Sequence, residues 1–185
     1  MFKNNTQGYG WLSIVFHWTS AVIIIGMFTV GWWMVDLDYY SPWYTDAPHY
    51  HKSVGLLLIA LTLVRLLWKL SQPSPQAQGK KWEKKSAKIT HVFLYLLIFS
   101  LFVSGYLIST ADDRGIDVFN WFSLGSLGRL FADQEDFSGM VHEYVAYVLI
   151  ALASVHGLAA LKHHFIDNDN TLVRMLTIKQ QKEQK

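Results

Sequence analysis

Residues 141–164, VHEYVAYVLIALASVHGLAALKHH, constrain this chain more than any other stretch: they are apolar between their ends and carry His142 and His156 fourteen positions apart. In a helix turning ~100° and rising ~1.5 Å per residue, fourteen steps return a side chain to within ~40° of its starting face, ~21 Å along the axis. A run of this length and apolarity reads as a membrane-spanning helix, where ionisable side chains are costly and point to function. One histidine alone would be a hydrogen-bonding group between helices. Two on one face, at two depths, ask for partners elsewhere in the chain.

The rest of the sequence is of the same character. Of 185 residues 51% are hydrophobic and 15% aromatic, against 16% charged, which is too apolar for an ordinary soluble domain. Cysteine is absent, which excludes disulfides, iron–sulfur clusters, thiolate zinc sites and covalently attached c-type haem. The first apolar run, 11–35, is longer than a signal-peptide core and lacks a small-residue cleavage site, so it reads as a retained span.

Four segments suit a bilayer core of ~30 Å, which needs ~20 helical residues. They are 11–35, 52–70 (which contains Arg65), 89–110 and 140–164. The predicted fold is an all-α membrane protein: one domain over residues 1–185, built as a bundle of four transmembrane helices. Residues 36–50 are acidic and aromatic, with Pro42 and Pro48 as breakers. Residues 71–88 hold a flexible polar stretch and then the basic KKWEKKSAK. Residues 111–139 are acidic and Gly-rich, and WFSLGSLGRLF within them reads as a short interfacial helix. The tail 167–185 is polar.

Lys and Arg set the expected orientation. With four spans, both termini and the 71–88 loop share one side, which holds thirteen Lys and Arg (Lys3 to Lys185) against three on the other, Lys52, Arg114 and Arg129. The positive-inside rule puts both termini in the cytoplasm. The bilayer is the expected surrounding, and no nucleic-acid partner is expected.

Depth then pairs the histidines. His17 lies early in the first span and His156 late in the fourth, both toward the terminal side; His51 opens the second span and His142 the fourth, both toward the other side. Two facing pairs of imidazoles in a helical bundle suit bis-histidine haem, of b type without cysteine. Zinc fits less well, since its three or four ligands must converge within ~2.1 Å of one point. Arg65 follows His51 by fourteen residues and could neutralise the propionates of a haem at the terminal side. Gly31 follows His17 by the same interval and leaves room at the other side. His91, near the terminal-side interface, could touch a propionate or only headgroups, and His163 or His164 could meet a quinone carbonyl.

The segments SIVFHW, HKSVGLLLIALTLVRLLW, HVFLYLLIFSLFVSGYLIS, HEYVAY and HGLAALKHHFIDNDNTLVRM, in this order over nearly the whole chain, resemble the bacterial cytochrome b561 family. The resemblance implies a small di-haem protein of the bacterial inner membrane, with His17, His51, His142 and His156 as iron ligands. It implies electron transfer between the ubiquinone pool and a donor or acceptor on the outer side, most concretely periplasmic superoxide reducing ubiquinone. A quinone near the inner haem would then have Arg65 and His163 or His164 as candidate contacts. One departure bears on the donor: the outer segments, from Asp36 to Glu143, carry ten acidic residues against three basic ones. Such a field opposes the collection of an anion, and a periplasmic redox protein is the alternative donor.

Overall fold

Four long helices carry nearly all of the apolar sequence. In the computed structural model, which describes residues 2–177, they are α1 (Trp11–Met34), α2 (Asp46–Ser71), α3 (Lys81–Ser109) and α4 (Gln134–Phe165). A two-stranded sheet, β1 (Ile116–Val118) and β2 (Phe122–Leu124), lies between α3 and α4, and a single turn, α5 (Val173–Leu176), follows α4. Each long helix has the length and apolarity to cross a bilayer, so the four-span helical architecture is as expected.

Three of the helices extend beyond the expected spans. Helices α2, α3 and α4 begin at Asp46, Lys81 and Gln134, well before the apolar runs at 52, 89 and 140. Hydropathy marks the length of helix that suits lipid, whereas the backbone ladder continues through polar residues beyond it. Pro48, expected as a breaker, sits in the first turn of α2, where its missing N–H costs no intrahelical bond. Lys80 N–H donates to Glu83 Oε2 at 2.6 Å, which closes the first turn of α3.

The helices pack as two hairpins, α1 on α2 and α3 on α4, and the hairpins touch each other sparsely. The buried positions within the bundle are small or aliphatic: Ser20, Ser53, Ile59, Thr62, Ile98, Ser104 and Leu149. Three of the hydroxyls return to their own helix: Ser20 donates to Phe16 O, Thr62 to Leu58 O and Ser104 to Ser100 O, at 2.7–2.8 Å. Satisfied in this way, they let backbones approach without leaving a bare polar atom in lipid.

At the end that carries β1 and β2, the sheet is antiparallel, with Asp117 opposite Ser123, and it docks on α2. Ser53 Oγ accepts from Phe119 N–H at 3.1 Å and donates to Asp117 O at 3.3 Å, while Val118 is fully buried. The interfacial helix expected at residues 121–131 does not form. Its first part is β2, and the rest is irregular, held by Tyr106 Oη, which donates to Gly125 O and accepts from Leu127 N–H. Gly128 at φ +77° marks a turn that a helix cannot contain. Buried Gln134 fastens the return, accepting from Leu130 N–H at 2.7 Å and donating to Leu107 O at 2.9 Å.

The opposite, terminal end is tied by polar contacts. Arg174 Nη1 donates to Gln76 O at 2.7 Å, Trp18 Nε1 to Met175 O at 2.7 Å, and Gln76 N–H to Thr6 O at 3.0 Å. The basic tail residues Lys179, Lys182 and Lys185 lie outside the described residues.

Candidate cofactor sites

The sparse seam between the hairpins is where the histidines meet. At the sheet end His51 of α2 faces His142 of α4, with ring centres 6.3 Å apart and planes at 69°. At the terminal end His17 of α1 faces His156 of α4, again at 6.3 Å and at 68°. Each contact crosses from one hairpin to the other, and the two pairs are those that depth along the helices predicts.

The sheet-end pair lines a cavity of about 660 Å³, walled by apolar residues such as Ile59, Ile98 and Leu149. Two glycines make room for its imidazoles. A Cβ on Gly31 of α1 would stand 3.3 Å from His51 Cε1, and one on Gly105 of α3 would stand 3.2 Å from His142 Cε1. His142 Nδ1 is 3.0 Å from Ser104 Oγ. His51 Nδ1 is buried with no hydrogen-bond partner. Gly31 had a sequence signal in its spacing from His17. Gly105 has the same one, fourteen residues after His91, and it was missed.

At the terminal end the cluster holds more than the expected pair. His91 of α3 brings its ring centre to 5.1 Å from that of His156, closer than His17. Arg65 Nη2 lies 2.8 Å from His17 Nδ1, and because a guanidinium only donates, Nδ1 is the acceptor here. The Arg65 and Lys69 cations lie 5.8 and 5.1 Å from the ring centre of Tyr95, whose hydroxyl is buried without a hydrogen-bond partner. Among the described residues no carboxylate is ion-paired with Arg65. Its fourteen-residue spacing from His51 indicated this position; His91 was expected at this end, near a propionate or the headgroups, and its approach to His156 had no signal in the sequence.

His163 belongs to a different group. Its Nδ1 is 2.9 Å from Asp167 Oδ2 and 3.0 Å from Asp169 Oδ2. Glu83, His163 and Asp167 are near enough to one another to hold a cation, and the Lys162 ammonium supplies one, 2.6 Å from both Glu83 Oε1 and Asp167 Oδ2. Burial tends to raise the Asp169 carboxyl, but the Thr171 hydroxyl and N–H, with His163 beside them, hold it below the usual carboxylate value. His164 stacks edge-on against Phe165, with ring centres 4.7 Å apart.

The family description Prokaryotic cytochrome b561 matches residues 8–177 of this chain. The chain belongs to the prokaryotic cytochrome b561 family. Similar proteins include cytochrome b561 homolog 2 of Escherichia coli (strain K12), 45% identical over 177 residues that cover 95% of this chain and 94% of that protein. The probable superoxide oxidase CybB of Yersinia pestis is 28% identical over 180 residues, covering 91% of this chain and 95% of that one. Cytochrome b561 homolog 1 of E. coli (strain K12) is 27% identical over 173 residues, or 88% and 93% of the two chains. Membership in the cytochrome b561 family carries with it b-type haem, electron transport and a multi-pass place in the membrane.

Proposed function

We propose that this cytochrome holds two b haems, one between His51 and His142 and one between His17 and His156, and that it moves electrons across the inner membrane between an outer one-electron donor and ubiquinone. The observation that carries this reading is the equal 6.3 Å separation of both pairs of ring centres. Imidazole nitrogens bind metals at about 2.0–2.1 Å, so each pair leaves room for an iron between its rings, and these four histidines would hold the two haems when they are bound. His91, with its ring centre 5.1 Å from that of His156, departs from the 6.3 Å that the two pairs share, and we read it as a neighbour of the site.

When bound, haem supplies reversible one-electron chemistry. The chain supplies position, through imidazoles ~21 Å apart along α4, and exclusion of water, through the apolar wall of the sheet-end cavity. Arg65 has a further part. A ligating His17 that offers Nε2 must keep its proton on Nδ1, so the guanidinium would leave that nitrogen and turn its donors to the propionates. Ubiquinone would be met at the terminal end, with Arg65 and His163 as candidate contacts. Two sites together can hold the two electrons that one quinone needs. The excess of Lys and Arg at the terminal end supports a cytoplasmic location for both termini.

The test is a pyridine haemochrome count with oxidised and reduced spectra of the purified protein. Two b haems per chain are expected; one or none overturns the assignment. Superoxide as the outer donor is a second reading, favoured by the similarity to the probable superoxide oxidase CybB of Y. pestis. Superoxide-driven quinol formation in proteoliposomes would support it, and its absence would remove it.

A further inference from the structure

Four carboxylates ring the mouth of the cavity that holds His51 and His142. Asp36 follows α1, Asp112 follows α3, and Glu135 and Glu143 stand on α4, with Lys52 as the one cation on the same rim. All four acids are exposed. Asp112 is paired with Arg114 at 2.7 Å, whereas Asp36, Glu135 and Glu143 make no ion pair among the described residues. Nor do they chelate: the only group of side chains near enough to share a metal, among the described residues, is Glu83, His163 and Asp167 at the other end. The rim is therefore a diffuse negative field, and the surrounding loops extend it, since ten of the fourteen acids in the chain lie on this side.

A charged mouth with low-dielectric walls raises the local concentration of the opposite charge and accelerates its arrival by ~10–10³-fold, while it repels the like charge. The favoured visitor is cationic. Its size follows from the aromatic rings exposed on the loops of the same end. The turn after α1 presents Tyr39 and Tyr40 at 80% and 90% exposure, and the hairpin presents Trp121 at 72%. These rings are held on hydrogen-bonded turns, with Tyr40 N–H on Asp38 Oδ1 and Trp121 N–H on Val118 O. A small ion needs only the field. Aromatic rings spaced around charged groups are the composition of a protein–protein contact.

We propose that this end is the docking surface for a soluble one-electron carrier protein with a basic face around its own redox group. The step transfers one electron between the partner and this chain's outer site, in either direction: one is oxidised by one as the other is reduced by one, and no bond forms or breaks. The inference rests on the proposed haem between His51 and His142 for its redox part, but not for its binding part.

The probes are horse cytochrome c, which is basic, and its succinylated form, which has the same haem and an inverted surface. The full chain is placed in neutral-lipid nanodiscs, and binding is followed by biolayer interferometry, a readout that needs no haem in the chain. Native cytochrome c is expected to bind, at least tenfold more weakly at about 200 mM than at about 20 mM salt, and the succinylated form is expected not to bind. A D36N/E135Q/E143Q variant should lose most of this binding while keeping its haem spectrum. Stopped-flow oxidation of the pre-reduced protein by ferricytochrome c should follow the same order. Binding that ignores salt and the variant, or a faster reaction with the succinylated form, overturns the proposal. Loss of the stopped-flow signal with binding intact would instead count against the haem assignment.

Discussion

Histidine 156 meets two other imidazoles, at different distances. With His17 at 6.3 Å and His91 at 5.1 Å, a His91→Ala protein is expected to retain both haems, whereas His17→Ala should lose the terminal-end one and His142→Ala the other. Haem counts with low-temperature spectra decide this; loss of a haem in His91→Ala would reassign the pair. The glycines give a graded companion test. Gly31→Ala and Gly105→Ala would press a methyl to 3.3 and 3.2 Å from the imidazoles of His51 and His142, closer than ordinary contact. Each should shift the spectrum or potential of the sheet-end haem and leave the other unchanged, as a redox titration would report. The four ligand candidates were legible because their depths along the spans fall at two levels, with His17 and His156 toward one side and His51 and His142 toward the other. The depth of His91 was legible too, but its contact with His156 was not, since a side chain's neighbours on another helix leave no mark in its own segment.

Among the elements, hydropathy located four helices but not their ends, because it reports lipid compatibility and not the hydrogen-bond ladder. It also failed at residues 121–131, where the apolar spacing suits a helix but a tyrosine hydroxyl and two glycines hold an irregular path. Gln134 closes that path through two side-chain bonds, so Gln134→Ala leaves Leu130 N–H and Leu107 O without these partners. A cost of about 1–3 kcal/mol is expected, read as a lower Tm and faster proteolysis between α3 and α4, with the terminal-end haem spectrum intact. At the other end, the lowered Asp169 carboxyl fixes the sign of a pH effect. Its contribution is fully present above the ordinary carboxylate pKa and disappears as pH falls through the lower folded value. Asp169→Asn should reproduce that loss at neutral pH and speed tryptic cleavage after Arg174.

For the molecule as a whole, the distribution of charge says more than the net value of +2. The chain has no cysteine, so single cysteines placed in the 36–45 turn or the 72–79 loop can be labelled without background. Intact cells should modify the first with a membrane-impermeant maleimide and spare the second; the reverse would invert the orientation. The transmembrane architecture was readable from sequence because lipid imposes one rule over long stretches. The charged rim was readable only as a count, since its acids come from α4 and from the segments after α1 and α3 and meet only in space. The loose seam between the hairpins has a consequence for the life of the protein. Two halves that touch sparsely would be clamped by a haem held between the proposed pairs, and such a bound group would stabilise the closed state by mass action. Cellular haem supply would then set how much of this chain survives proteolysis, before any electron has moved.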